Sequence, residues 1–128
     1  MKNFEFNVHG ICTNPNVIEY EKGFCRFRIE TAYTPYGWIY GLKSAKSAHA
    51  IYSPCTGYHG KYFPKEKDAL LHAVNLSLEF FNEKHRCSSN GNFDGFIKVP
   101  KEIFEKLDDI INPKPRELDL FADYNFNE

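Results

Sequence analysis

No stretch of this sequence approaches the roughly 20 consecutive apolar residues that a membrane-spanning helix needs. The opening MKNFEFNVHG lacks the long apolar segment of a secretory signal, so a cytoplasmic protein without membrane contact is expected. An excess of charge of either sign is also missing. A net charge of −1 excludes the whole-domain basic field that drives non-specific nucleic-acid binding. The segments GYHG and NGNFDG lack the Gly/Lys spacing that cradles phosphates, and neither an internal repeat nor a low-complexity tract is present.

Cysteine is sparse. Without a signal segment, Cys12, Cys25, Cys55 and Cys87 read as reduced thiols rather than as a disulfide framework. A structural zinc ion needs four converging ligands, usually as two close pairs, and Cys55/His59 with His85/Cys87 is the one such set. Its spacing matches no strong zinc pattern, so neither metal nor cofactor is expected. A Cys/His nucleophile would have to be Cys55 with His49 or His59, and no orienting acid or oxyanion hole accompanies them.

What the sequence does have is aromatic mass. Twelve Phe and eight Tyr in 128 residues, with 42% apolar residues, describe a packed single domain over residues 1–112. Its first half alternates with period 2. Phe4, Phe6 and Val8 alternate with Glu5 and Asn7, TNPN supplies a turn, and VIEY is a short strand. EKG reads as a hairpin turn, with Gly23 free to take positive φ. In FCRFRIETAY, Cys25, Phe27, Ile29 and Thr31 share one face and Arg26, Arg28 and Glu30 the other. After the turn TPYG, Trp38, Tyr40 and Leu42 oppose Ile39, Gly41 and Lys43. Short strands are expected at HAIY, KYF and FIKV.

From Pro64 the period becomes helical, with Ala69, Leu70, Ala73, Val74, Ser77, Leu78 and Phe81 inward. PKEIFEKLDDII predicts a second helix with Ile103, Phe104, Leu107, Ile110 and Ile111 on one face, ended by Asn112-Pro113. The expected class is α+β: an antiparallel β-sheet with two helices packed on one face and an extended tail. Residues 113–128 form that tail behind the stiff leader NPKPRE.

Three candidate sites follow. Arg26, Arg28, Lys43 and Lys46, with Tyr36 for base stacking, form a nucleic-acid face if their strands are neighbours; the competing reading is an ordinary solvated sheet face. Residues 47–61 offer a loop site for a small ligand or reaction, with His49, Tyr52, Cys55, Tyr58 and His59. In the tail, Leu118, Leu120 and Phe121 are apolar groups among carboxylates. They either fold back onto the domain or enter an apolar pocket on a partner.

At ELDLF the tail resembles the short peptide by which bacterial replication, repair and mobile-element proteins dock on the sliding clamp. Leu118, Asp119, Leu120 and Phe121 match that pattern, and Glu117 stands where Gln is usual. Residues 36–81 resemble, in layout, the three-strand-plus-helix arrangement of integrase-type and plant ethylene-response DNA-binding domains. Small accessory proteins of phages and conjugative elements show similar patterns. These resemblances imply a non-enzymatic accessory protein of bacterial or phage DNA metabolism. Its partners would be a sliding clamp or another replication or defence protein, and a nucleic acid. The alternatives are an inhibitor of a host defence nuclease, or a small-ligand binder or enzyme using residues 47–61.

Overall fold

Alternation of apolar with charged or small residues folds the first half of the chain into a meander. The computed structural model describes residues 3–57, 61–84 and 97–112. Strands β1 (Asn16–Lys22), β2 (Cys25–Thr34), β3 (Gly37–Lys46) and β4 (His49–Ser53) form one antiparallel sheet in the order β1-β2-β3-β4. A two-residue turn joins β1 to β2, because Lys22 pairs with Cys25. Gly23 takes φ 62 there, a conformation open to glycine without steric cost.

Helix α1 (Glu66–Asn82) lies over β2 and β3, and α2 (Lys101–Ile111) packs on α1 and β1. Both helices sit on one face of the sheet, so the fold is α+β. Between them and the sheet lie Cys25, Phe27, Ile29, Tyr40, Leu42, Ala69, Ala73, Val74, Phe80, Phe81, Ile103 and Leu107. Fully burying a side chain of Leu, Ile or Phe size stabilises by about 1.5–3 kcal/mol before entropy is charged. The buried stripe of α1 differs from the expected one in two respects: Phe80 is also buried, and Leu70 and Leu78 are only half-buried.

Polar contacts along α1 set its position on the sheet. At the N-terminus Glu66 accepts hydrogen bonds from Thr31 Oγ1 (2.7 Å) and Asn16 Nδ2 (2.9 Å). Its carboxylate also suits the positive end of the helix dipole. In the middle, the hydroxyls of Ser44 and Ser77 are 2.5 Å apart and fully buried. At the C-terminus the contact comes from a lysine, described below.

The opposite face of the sheet is half covered, which the alternation had not suggested. Residues 4–8 do not form the expected strand. Asn7 Oδ1 accepts from the backbone N–H of His9 (2.8 Å) and Ile11 (3.1 Å), which reverses the chain and leaves Val8 at the tip, 93% exposed. Phe6 bridges Cys12, and Ile11 bridges Thr56. The two segments meet under the sheet, where Cys12, Ala32, Ile39 and Cys55 form a second small core beside Phe4. Gly41 permits this approach. A Cβ there would lie 2.8 Å from Cys55 N and 2.9 Å from Cys55 Cβ.

KYF contributes only a bridge, with Trp38 and Phe63 exchanging backbone hydrogen bonds of 2.7 and 2.8 Å. Of the expected strand FIKV, Phe96 lies outside the described residues and residues 97–99 are not a strand. They lead into α2, whose N-cap Pro100 lies against Gly23.

Because Ile39 is fully buried on the face away from the helices, Ile39→Ala should cost about 2–5 kcal/mol in a urea titration. A loss below about 0.5 kcal/mol, the range of an exposed site, would mean that this face is uncovered.

Candidate nucleic-acid interface

Strand register decides which of the candidate residues meet. Glu19, Arg28, Lys43 and Tyr52 are successive cross-strand partners, one from each strand. Glu21, Arg26, Ala45 and Ala50 form the next row of the same face. Arg26, Arg28 and Lys43 therefore stand together on the half of the sheet that the second core leaves uncovered. Shallow depressions on this face share these three residues and reach Phe24 at one end and Tyr52 and Ser53 at the other.

The cations are not equivalent. Arg28 donates through Nε to Glu30 (2.8 Å) and through Nη1 to Glu19 (3.2 Å). The hydrogen bond to Glu30 comes first among the causes that hold its proton more tightly than usual. Such partly exposed pairs contribute about 0–1 kcal/mol to stability. Their effect is to orient the guanidinium and to occupy two carboxylates. Arg26 and Lys43 take no part in an ion pair among the described residues. With Glu21 opposite Arg26 on β1, the result is a basic ridge along β2 and β3 with an acidic margin on β1.

Two members of the predicted face lie elsewhere. Lys46 is fully buried. Strand parity accounts for it: Tyr40, Leu42, Ser44 and Lys46 point to the helices, while Lys43 points away. Lys46 Nζ donates to the carbonyl oxygen of Phe80 (2.9 Å) and to that of Glu83, and lies 5.0 Å from the Phe80 ring centroid. It caps α1. Burial is the first cause that lowers its pKa from 10.5, with Glu83 and Cys25 acting in the opposite direction.

Tyr36 is 79% exposed, but it sits on the β2–β3 turn beside Tyr62, with ring centroids 5.6 Å apart. From Arg28 to that turn is six residues, roughly 20 Å of strand.

The loop site separates as well. Residues 49–53 are strand β4, and His49 and Tyr52 are partners of Lys46 and Lys43, on opposite faces. Tyr52 belongs to the open face and is 70% exposed. Cys55 has no exposed surface, and burial first, then Cys12 and Glu30, pushes its thiol up to about 12. Such a thiol is a packing group, inert as a nucleophile near neutral pH.

Tyr58 and His59 lie outside the described residues, as do His85, Cys87 and the tail positions Leu118, Asp119, Leu120 and Phe121. Among the described residues no group of three or more His, Cys, Asp or Glu could hold a metal ion. No helix among the described residues is long and apolar enough to cross a membrane.

Hairpin geometry adds one residue to the ridge and reassigns another. Phe24, 84% exposed at the β1–β2 turn, borders the ridge. Tyr52, expected in the loop site, stands beside Lys43 on this face instead. Hairpin register would have found both, since Tyr52 follows from pairing HAIY against LKSAK. No protein family, curated protein or solved structure matches the chain.

The Lys46 cap has a pH signature. The folded state holds this proton less tightly than the unfolded chain does, so unfolding takes one up. Stability attributable to Lys46 should then rise as pH rises through the alkaline window ending near 10.5. Urea titrations of wild type and Lys46→Met across that window should show the difference growing in favour of wild type. A constant difference would contradict the burial of the ammonium.

Proposed function

We propose that the chain is a non-enzymatic accessory protein of bacterial or phage DNA metabolism that acts by binding. The open half of the sheet is its nucleic-acid surface, and the tail tethers it to a replication partner such as a sliding clamp. The observation that carries this reading is the side-by-side arrangement of Arg26, Arg28 and Lys43 on the half of the sheet face that the second core leaves open.

A cation that meets a phosphate releases condensed counterions, and the gain grows with the number of contacts. Two or three contacts make a weak site. Weakness is tolerable in a tethered domain, because a short linker raises the local concentration to the millimolar range. Dispersal of His49, Tyr52 and Cys55 to different environments also favours binding over catalysis by residues 47–61.

Affinity for a short oligonucleotide, measured by fluorescence anisotropy, should fall with salt. The log–log slope should be roughly −1.5 to −2, as two or three phosphate contacts on a single strand imply. Arg26→Glu and Lys43→Glu should each weaken binding, while Lys67→Glu on the exposed side of α1 should not. No binding at low salt, or binding indifferent to the two ridge reversals, would overturn the assignment.

For the tail, a peptide of residues 113–128 should bind a bacterial sliding clamp alone with a Kd of about 1 μM, roughly −8 kcal/mol. Leu120→Ala or Phe121→Ala should each cost about 2 kcal/mol or more. Ending the chain at Asn112 should leave its melting temperature unchanged. A truncated chain that melts lower, with a peptide that binds nothing, would mean that the tail packs on its own domain.

A further inference from the structure

We infer that the ligand of the open face is single-stranded DNA, held in a track of about four or five nucleotides between Phe24 and Tyr52. The choice of DNA rests on the reading of the chain given above; the single-stranded geometry rests on the charge and aromatic pattern of the face. A duplex entered by a sheet presents phosphates on both walls of a major groove about 12 Å wide. Cations are then needed at both margins of the sheet. Here the β1 margin carries Glu19 and Glu21, which would face one wall with carboxylates.

A single strand needs charge along one line only. Arg26 on β2 and Lys43 on β3 supply it, and Arg28, already held by Glu19 and Glu30, stands between them. Exposed aromatic side chains stand at both ends of the line. Phe24 adjoins Arg26 and Ala45, and Tyr52 adjoins Arg28 and Lys43. Strand rise and spacing put these two residues roughly 15 Å apart, the length of four or five stacked nucleotides at ~3.4 Å each. Base stacking on such platforms tolerates any sequence, since every base has a π-face. The acidic margin on β1 confines the strand to the track.

The test uses the full chain and fluorescein-labelled dT12 in anisotropy titrations at low salt, beside a 12-base-pair duplex and rU12. Binding to dT12 should exceed binding to the duplex by at least tenfold and be no weaker than binding to rU12. Phe24→Ala and Tyr52→Ala should each lower dT12 affinity roughly tenfold, and Tyr52→Phe should restore it, because the ring alone stacks. Both residues are largely exposed, so the variants should fold. Tighter binding of the duplex overturns this inference and leaves the nucleic-acid surface standing. Tighter binding of rU12 overturns the assignment to DNA, and equal losses in Tyr52→Ala and Tyr52→Phe overturn the stacking role. Absence of binding to all three removes both this inference and the function proposed above.

Discussion

The buried ammonium of Lys46 is the interaction on which the arrangement of the other elements depends. Helix α1 has no basic residue in its own last turn, so the negative end of its dipole and its last carbonyls need a partner from outside. Strand β3 provides it. An unpaired buried charge would be prohibitive, and here two carbonyl oxygens and the face of Phe80 receive it. With Ser77 held by Ser44 and Glu66 held by Thr31 and Asn16, α1 is fixed at both ends and in the middle. Its register on β3 is then single-valued, and side chains of β3 alternate strictly between the helix layer and the other face.

That alternation makes an open face available, and the second core limits its extent. Cys12, Ala32, Ile39 and Cys55 close the half of the sheet near the β2–β3 turn. Among the described residues nothing covers the half near the β1–β2 turn, and the cations stand there. Rigid strands hold them, which suits a surface that recognises a repeating backbone by spacing. A face with equal numbers of cations and carboxylates has no general attraction for polyanions. Its pattern of ridge and margin would suit the narrow ligand proposed above.

Much of this was legible in the sequence. The alternation in FCRFRIETAY and WIYGLKS places the inward and outward residues of β2 and β3 correctly, and the helical period in DALLHAVNLSLEFF marks α1. What escaped depended on contacts distant in the chain. Asn7 turning the backbone under Val8 is a side-chain capture that period-2 counting cannot see. The cover over Ile39 requires residues 11 and 56 to meet, and glycine at position 41 is its only local trace. The position of Lys46 follows from strand parity. Three positions from Lys43 on one strand, it had to point the other way, and only a pairing with the carbonyls of α1 makes burial there tolerable.

The proposed ligand surface joins Arg26, Lys43 and Tyr52 across three strands. An ¹H–¹⁵N correlation spectrum recorded during titration with dT12 tests it residue by residue. Shifts should concentrate on residues 24–28, 43–45 and 50–53, with β1 little affected and the exposed side of α1 unmoved. Shifts centred on the Tyr36–Tyr62 end of the sheet or on α1, with the ridge silent, would contradict it.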